Sequence, residues 1–575
     1  MKHLITILIC ALNLCNYSFA QCAFPYPRHI VSGIIMSTPP ESSPFAMDSS
    51  GTVYVGQTID GYTVNLGNGI TITGTGGFIA AYKSGNALWR KKITSSYSCK
   101  ILDIQVDKQK NIFVSGSYMG NISIDSYNAG GSGVCYQAFI LKLDSSHTCQ
   151  WLHVSSGNNT TTVSSSDNDE GRYIAPDENG GCYVSIFYQS YFTFGSTVFS
   201  TTWGATNSVI AHYNSAGVLT WKRKVYSADG ITKAPVVITD YNGGAYLVHY
   251  LGTTCPLDTA TIYSPSQSTV FFMHIDSLGQ YNWVNYLTNA WWTYQFNPSW
   301  INAGRCFNDG TLLLAGEFPD SVRIDTFVLN TPGYRSIYLA RIGLNGQTLR
   351  FDKLATCLNP PNEVSIGQDG IDILPDGGIY LSGTLFGAAD FNGILQDDYL
   401  GSLYTARYDS LLNPVWVRIF GGGFPGFGHF WPFGVRASTC GTAIVSGWFV
   451  DALTISPVHL NPASTGNFDF YLAEFDSADG STYANTVGID ETPLAGDHLI
   501  SPNPAEDFVE LKIRNESASD NRIGIYDVMG KCVANIKPSI QNEETIRLDI
   551  SSLQPGFYVI KSESEKFVPQ SFIKL

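Results

Sequence analysis

Two stretches of the chain concentrate aromatic side chains that could bind a ligand. The first is NYLTNAWWTYQFNPSW at 285–300, and the second is GGGFPGFGHFWPFG at 421–434. Exposed flat rings offer apolar area with a polar edge, which suits sugar rings or the hot spots of protein partners. The candidate ligand-binding residues taken from these stretches are Trp291, Trp292, Tyr294, Trp300, Phe424, Phe427 and Trp431. An alternative stays open, in which the rings fold inward as a hydrophobic lid.

Sequence motifs for catalysis, metals and cofactors give no specific match. The G-x-G-x-x-G match at 421–426 is rejected, because a dinucleotide site needs a following helix and Pro425 opposes one. The loop SSSDNDEG at 164–171 is similar to part of a calcium loop but lacks the glutamate at its twelfth position. The chain has no G-x-S-x-G, H-E-x-x-H or Walker motif and no Cys/His cluster with zinc spacing. We therefore predict no catalytic residue, no metal and no cofactor.

Composition excludes several classes of protein. Only 14% of the residues are charged, whereas aromatic residues reach 13% and glycines number 56. This mixture is poor in helix formers and rich in strand and turn formers, which predicts an all-β protein. The formal net charge of −15 argues against a nucleic-acid partner, because phosphate binding needs a basic patch. The chain has no apolar run long enough to predict a transmembrane helix.

A sequence repeat supplies the elements that must hold the aromatic loops. An apolar strand, a turn with Asp, Ser or Gly, and a strand that usually carries Trp recur at 78–89, 139–151, 209–221, 271–283, 338–350, 404–416 and 471–484. A second hairpin with an Asp/Asn/Gly turn precedes each copy, at 48–56, 107–116, 177–185, 240–248, 308–316, 375–383 and 438–447. Gly and Asn tolerate the positive φ of tight hairpins, and the apolar/polar alternation has the two-residue period of strands. Each repeat therefore predicts four antiparallel strands.

Such a repeat predicts a seven-bladed β-propeller over residues 45–488, with four-stranded antiparallel blades. Closing the ring lets every blade bury its faces against two neighbours, and we expect the repeated Trp to pack between blades. The segment 21–44 contains HIVSGII at 29–35, which we expect to close the ring against the last blade. The long connections all fall on one face, at 57–76, 189–207, 286–302 and 420–434. Variable loops on a rigid scaffold favour that face for ligand binding.

The repeated pattern resembles the bacterial repeats of seven-bladed propellers in secreted proteins. The shared features are an Asp-x-x-Gly hairpin followed by an aromatic-Val-x-Gly strand, and then a hairpin that ends in Trp. The resemblance covers about three quarters of the chain. It implies a fold and says little about function, because one fold hosts many functions.

The N-terminus predicts export from the cytoplasm. Residues 1–20 have a positive Lys2, an apolar stretch at 4–14 and a small-x-small cleavage site at 18–20, as in a secretory signal peptide. The mature chain is expected to begin near Gln21 and to keep ten of the twelve cysteines. Nine of these precede residue 490, so at least one thiol there is free or pairs elsewhere. The pairing cannot be deduced from the sequence.

After a linker at 489–498, residues 499–575 predict a small Ig-like β-sandwich. This segment resembles the type A C-terminal sorting domain of the type IX secretion system. The residues that carry the resemblance include Pro502, Asn503, Pro504, Gly530, Gly556, Tyr558 and Lys574. Ser501 stands where many members have Tyr. The resemblance implies recognition by the type IX machinery and transport across the outer membrane to the cell surface or the medium.

Three functions remain open at this stage. The first is a secreted or cell-surface binding or adhesion propeller that recognises carbohydrate or protein through its loop face. The alternative is a secreted polysaccharide hydrolase or lyase, for which carboxylates should converge at the mouth of the channel. A structural role in the surface machinery is a third reading that sequence cannot separate from the first.

Overall fold

The computed structural model describes a protein of two domains, residues 1–483 and 484–575. It describes residues 28–31 and most of 44–574. The main gaps in that description are 157–167, 201–205, 227–233, 289–302, 422–429, 461–468, 481–499, 513–522 and 563–569, with shorter gaps of one to four residues elsewhere. Every regular element in the described part of the chain is a β-strand, as the composition predicts.

In the N-terminal domain, the described strands form an antiparallel meander of four strands that recurs along the chain. In repeats 1 to 6 one tight turn joins the first two strands and a second tight turn joins the last two. Repeat 1 contains β2 (Phe45–Met47), β3 (Val53–Asn65), β4 (Thr71–Lys83) and β5 (Asn86–Ser95). Repeat 2 contains β6 (Ser98–Val106), β7 (Ile112–Met119), β8 (Ile122–Ile124), β9 (Tyr127–Ala129), β10 (Gln137–Leu143) and β11 (Cys149–Ser156). Repeat 3 contains β12 (Glu170–Pro176), β13 (Cys182–Gln189), β14 (Tyr191–Phe194), β15 (Thr197–Ser200), β16 (Thr206–Tyr213) and β17 (Leu219–Tyr226). β1 (Arg28–Val31) precedes them.

The same order continues through the later repeats. Repeat 4 contains β18 (Val236–Thr239), β19 (Ala245–Leu251), β20 (Thr254–Pro256), β21 (Thr261–Tyr263), β22 (Thr269–Ile275) and β23 (Tyr281–Thr288). Repeat 5 contains β24 (Ala303–Cys306), β25 (Leu312–Phe318), β26 (Ser321–Ile324), β27 (Phe327–Asn330), β28 (Ser336–Ile342) and β29 (Thr348–Cys357). Repeat 6 contains β30 (Glu363–Ile373), β31 (Ile379–Phe391), β32 (Ile394–Tyr408) and β33 (Pro414–Phe420), and repeat 7 contains β34 (Phe430–Ala437), β35 (Ala443–Phe449), β36 (Leu453–Ile455), β37 (Val458–Leu460) and β38 (Asp469–Phe475). Repeats 5 to 7 and β1 merge into one twelve-stranded sheet.

An aspartate organises the first tight turn of several repeats. In repeat 1 the Asp48 carboxylate accepts hydrogen bonds from the Ser50 and Thr52 amides, both at 2.9 Å. Gly51 then takes a φ of +78°, which a side chain would oppose. Asp177 and Asp240 accept the equivalent amides in repeats 3 and 4. The short Asp/Gly turns of the sequence are therefore self-contained hydrogen-bonded units.

The second and third strands of each repeat are buried, because neighbouring repeats cover both of their faces. In the third strands β10, β22 and β38 every residue is buried, whereas the fourth strand β23 has mostly partly buried or exposed residues and buries only Leu287. The cores combine residues of adjacent repeats, as when Ile79 of repeat 1 packs in one cluster with Phe139 of repeat 2. A single repeat could not bury these surfaces alone.

Tryptophans on the outer strands link each repeat to the next. Trp221 donates through Nε1 to the Ser277 carbonyl at 2.8 Å, and Trp283 donates to the Leu344 carbonyl at 2.8 Å. Trp416 makes the same bond to the Ser477 carbonyl at 3.0 Å. The predicted packing of the repeated Trp between repeats is therefore confirmed for these residues. Each of these hydrogen bonds gives the polar N–H of the packed indole an acceptor in the next repeat.

Small hairpins form a second link between repeats. The β8–β9 hairpin of repeat 2 pairs with β5 of repeat 1, and β26–β27 of repeat 5 pairs with β23 of repeat 4. β14–β15 joins β11 through the pairs Ser155↔Phe194 and Ser156↔Thr193. Each of these hairpins is the long connection between the second and third strands of its repeat. Part of the variable face is thus used to cover the outer edge of the preceding sheet.

The first strands of consecutive repeats contact one another in chain order, and β34 of repeat 7 also contacts β2 of repeat 1. β1 pairs antiparallel with β38, with His29 opposite Tyr471. β38 is the third strand of repeat 7, so β1 occupies the place of the fourth strand of that sheet. Residues 29–31 of the segment predicted to close the ring thus pair with the last repeat, whereas 32–35 lie outside the described residues and closure of the ring stays a prediction.

The described residues of the C-terminal domain form two four-stranded sheets. Their strands are β39 (Ile500–Ser501), β40 (Phe508–Lys512), β41 (Ile523–Tyr526), β42 (Cys532–Ile536), β43 (Ser539–Asn542), β44 (Thr545–Asp549), β45 (Gly556–Ser562) and β46 (Gln570–Lys574). The sheet orders are β39-β40-β44-β43 and β42-β41-β45-β46. Val509 and Leu548 of the first sheet share one core with Ile525 and Ile560 of the second. This shared core makes the domain a two-layer structure with its own hydrophobic interior.

Candidate functional site

The predicted aromatic ligand site lies largely outside the described residues. Trp291, Trp292, Tyr294, Trp300, Phe424 and Phe427 all fall there. Trp431 lies in β34 with its backbone opposite Trp448. Its role as a ligand residue therefore stays a prediction, as do those of the other six.

The described residues bring a different group of polar side chains together, on the first strands of the repeats. We call Asp103, Tyr173, Arg305, Gln368, Asp369, Asp372 and Arg436 the inner-strand cluster. They come from β6, β12, β24, β30 and β34. Most of them stand two to five residues before the first tight turn of their repeat. This places the cluster nearer the tight turns than the long connections.

Asp369 is the centre of the cluster, because it binds arginines of both neighbouring repeats. Its Oδ1 accepts from Arg305 of repeat 5 at 2.5 Å, and its Oδ2 pairs with Arg436 of repeat 7. The Asp369 side chain is 33% exposed. Burial opposes ionisation, but the two guanidinium groups prevail and lower the pKa of Asp369. Asp369 therefore stays ionised and ties three repeats together.

Asp372 completes the connection. It accepts from Arg305 Nε at 3.0 Å and from the Ala437 amide at 2.7 Å, so it also joins repeats 5 and 7. A register shift in β30 between Ile366 and Ile371 supplies extra residues that place Asp369 beside Gly434. Such irregularities re-aim side chains where a regular strand would not.

Asp103 differs from these carboxylates in its partners. It accepts the Ile174 amide at 2.9 Å and the Gln105 side-chain amide at 3.0 Å. Burial raises the pKa of Asp103 to about 6, and the negative charge of Asp369 adds to this effect. The cluster thus contains two carboxyl groups whose pKa values are displaced in opposite directions.

Further contacts join repeats that are not adjacent in sequence. The Tyr173 side chain of repeat 3 lies close enough to the Gln368 side chain of repeat 6 to interact with it electrostatically. Lys108 in the first turn of repeat 2 lies over the Tyr241 ring of repeat 4, with Nζ 5.3 Å from its centroid. A cation over an aromatic ring is an attractive contact even at a partly exposed position.

Two Asp–His pairs near the tight turns are similar to parts of a catalytic triad. His212 Nε2 is 2.8 Å from Asp177, and its Nδ1 is 2.6 Å from the hydroxyl of exposed Thr220. His274 and Asp240 repeat the arrangement in repeat 4, with Asn282 in place of the hydroxyl.

Repeats 5 and 6 show what these pairs do. Arg341 and Arg407 stand there at the position of the histidine, and each forms a salt bridge with an aspartate two residues further along the turn, Asp309 at 2.6 Å and Asp376 at 2.8 Å. A position that accepts His or Arg equally serves to satisfy the turn aspartate. We therefore assign the Asp–His pairs a structural role.

Replacing Asp369 with Asn tests the central position of the cluster. The variant leaves two arginines with one neutral acceptor, and we expect a loss of about 2 kcal/mol in the free energy of unfolding. This estimate lies between the values for exposed and buried ion pairs, because Asp369 is partly exposed. Asp376→Asn is the control, because Asp376 is 55% exposed and pairs with one arginine only. Its expected cost is below about 1 kcal/mol in urea denaturation at pH 7. Equal costs would contradict the assignment.

Sequence reasoning missed the inner-strand cluster. Gln368, Asp369 and Asp372 lie together on β30, but the other four members occur singly on strands that look unrelated, and only the contact between first strands brings them together. One signal was available, since charged residues on apolar strands are rare in a chain that is only 14% charged.

The C-terminal domain positions three of the residues predicted for sorting. Tyr558 is buried and donates its hydroxyl to the Gln554 carbonyl at 2.8 Å. Gly556 pairs with Lys574 between β45 and β46, and Lys574 also bridges in parallel to Ala505. Pro502, Asn503, Pro504 and Gly530 lie outside the described residues. The two chain ends of the domain therefore meet at Lys574.

Residues 499–574 match the family model of a secretion system C-terminal sorting domain. The match covers the whole C-terminal module that the sequence separates from the repeats. None of the curated proteins matches the chain. The described residues form no helix that is long and apolar enough to cross a membrane. The sorting domain marks the protein for export to the cell surface or for secretion.

Proposed function

We propose that the protein is a secreted or cell-surface binding protein, exported through the type IX secretion machinery, with a closed seven-bladed β-propeller as its binding domain. The sorting domain supports the export route. The ring is supported by the contacts of consecutive first strands and by the contact of β34 with β2. Pairing of β1 with β38 supports closure by the N-terminal segment.

The observation that favours binding over hydrolysis is the state of the inner carboxylates. Asp369 and Asp372 are held by arginines and a backbone amide, so they have structural partners before any substrate arrives. Carboxylates that act on a glycosidic bond must face the substrate. The proposed ligand site is therefore the long-loop face with its aromatic residues, and the proposed ligand is a carbohydrate or a protein.

Replacement of Trp291 and Trp292 together by alanine tests this site. If the two indoles form a binding platform, the double variant loses binding by tenfold or more, since aromatic anchors dominate binding energy. Its melting temperature should stay near that of the wild type. The measurement is a glycan-array screen with the full mature chain, followed by titration of the best ligand. A large fall in melting temperature with unchanged binding would support the lid instead.

A second candidate function is a polysaccharide hydrolase or lyase that uses Asp103 and Asp369. The displacement of their pKa values in opposite directions favours it, because an acid and a base need such a difference. Release of reducing ends from a polysaccharide panel would test this function. Loss of that activity in Asp103→Asn would assign it to the cluster, and absence of activity in the wild type would leave binding as the function.

A further inference from the structure

We propose that the inner-strand cluster is a latch across the centre of the ring, and that ionisation of Asp103 loosens it. The proposal rests on the ring arrangement proposed above. It concerns how the scaffold is held, and it places the ligand on the long-loop face because the cluster occupies the centre.

The contacts of the cluster span the ring in several directions. Arg305, Asp369 and Arg436 connect repeats 5, 6 and 7, which are neighbours. Tyr173 and Gln368 connect repeats 3 and 6, which lie across the ring from each other. The Arg436 guanidinium also donates to the Phe45 carbonyl of repeat 1 at 3.0 Å. With Asp103 of repeat 2 included, every repeat except repeat 4 therefore takes part in these contacts.

Asp103 is the member whose charge the cluster tolerates least. Both of its oxygens accept uncharged donors, Gln105 and the Ile174 amide. The groups that face it are Tyr173 on β12, Asp369 on β30 and Arg436 on β34, while Glu170 and Arg172 of β12 form an ion pair with each other at 2.5 Å. β2 and β7 contribute no charged residue. Asp369 repels an ionised Asp103, and Arg436 is shared with Asp369.

The direction of the pH effect follows from linkage. The folded-state pKa of Asp103, about 6, lies above that of an unfolded aspartate, about 3.9. The folded state therefore binds the proton more tightly, and stability from this group is present at low pH. It is lost as the pH rises from about 4 to about 6 and is constant above that range. Asp369 acts in the opposite sense, because its lowered pKa adds stability that is lost only in stronger acid.

Asp103→Asn is the direct test, because the amide keeps an acceptor for Ile174 and cannot ionise. We expect the unfolding equilibrium constant of the wild type to exceed that of the variant by about tenfold to a hundredfold at pH 7.5, with a small difference near pH 4.5. Urea denaturation of the full mature chain across this pH range measures it. Asp376→Asn, at an exposed ion pair, should give a difference that does not follow this profile. A variant that is less stable than the wild type at pH 7.5 would overturn the role of Asp103.

Hydrogen exchange gives a second readout that does not depend on global stability. The Ile174 amide donates to Asp103, so its exchange protection should fall between pH 5 and pH 7.5 more than that of the Gly181 amide, which donates to Asp177. Exchange is compared after correction for its intrinsic pH dependence. Identical changes at the two amides would contradict loosening at Asp103.

A double-mutant cycle separates the latch from the ring on which it rests. Tyr173→Phe and Gln368→Ala should be coupled in the unfolding constant by about twofold to fivefold, as expected for a polar contact. Additive effects would contradict the facing of repeats 3 and 6, and with it the ring. Coupling at this pair together with no pH effect of Asp103→Asn would keep the ring and overturn the latch.

Discussion

Replacing Gly279 with alanine is expected to destabilise the N-terminal domain by about 3 kcal/mol or more. Gly279 has a φ of +76° in the second tight turn of repeat 4. A Cβ there would lie 2.7 Å from the indole of Trp221, which packs on this turn from repeat 3. The left-handed conformation costs a residue with a side chain about 1 to 2 kcal/mol, and overpacking adds about 1 to 3 kcal/mol.

Gly61→Ala provides a matched control. Gly61 has nearly the same φ, +78°, but no atom lies within 4 Å of a Cβ at this position. Its substitution should therefore cost only the backbone contribution, about 1 to 2 kcal/mol. Chemical denaturation of both variants gives the difference, which measures the contact between the two repeats. Equal losses would show that the Trp221 ring moves aside without cost.

The same contact recurs, which explains a feature of the sequence that reading along one repeat does not reveal. A Cβ on Gly217, Gly346 or Gly480 would meet Trp151, Trp283 or Trp416 at 2.6 to 2.7 Å. At these turns the Gly of one repeat leaves room for the Trp of the preceding repeat. Both residues are visible in the repeat, but their pairing across repeats depends on how neighbouring sheets stack.

Two repeats depart from this pairing, each in its own way. In repeat 2 the turn has His147 at a φ of +64°, and its ring lies 3.8 Å from that of Trp89, centroid to centroid. In repeat 6 the turn has Leu412 at a φ of +67°, and the preceding repeat has Arg350 instead of Trp. Arg350 donates to the Leu411 carbonyl at 2.6 Å, much as Trp does elsewhere. The loss of Trp at 350 is therefore accompanied by the loss of the turn glycine.

Periodicity predicted the strands and the tight turns, because these depend on residues close in sequence. The inner-strand cluster could not be predicted in this way. Asp369 reaches Arg305 and Arg436 because of the irregular register of β30. The two arginines are 131 residues apart in the sequence (436 − 305), so no local pattern relates them. Alternation identifies which face of a strand a residue occupies, but it does not identify which strand stands opposite.

Removal of residues 499–575 is expected to abolish export while leaving the N-terminal domain folded. The deletion removes the segment that matches the sorting-domain family, and with it the feature that the secretion machinery would recognise. Among the described residues, the hydrophobic core of this segment, including Val509, Ile525 and Ile560, is formed by residues of the segment itself. The free energy of unfolding of the N-terminal domain should therefore change by less than about 0.5 kcal/mol, as for independent sites.

Fractionation of cells that express the full and the truncated chains measures the first effect, and denaturation of the purified proteins measures the second. Val533→Ser is a suitable control, because Val533 is 39% exposed and its replacement leaves the core of the sorting domain intact. This variant should reach the surface or the medium as the wild type does. Appearance of the truncated chain outside the outer membrane would contradict the sorting assignment. Export of a foreign folded protein fused to residues 499–575 would show that this domain is sufficient for sorting, because the fusion contains none of the repeats.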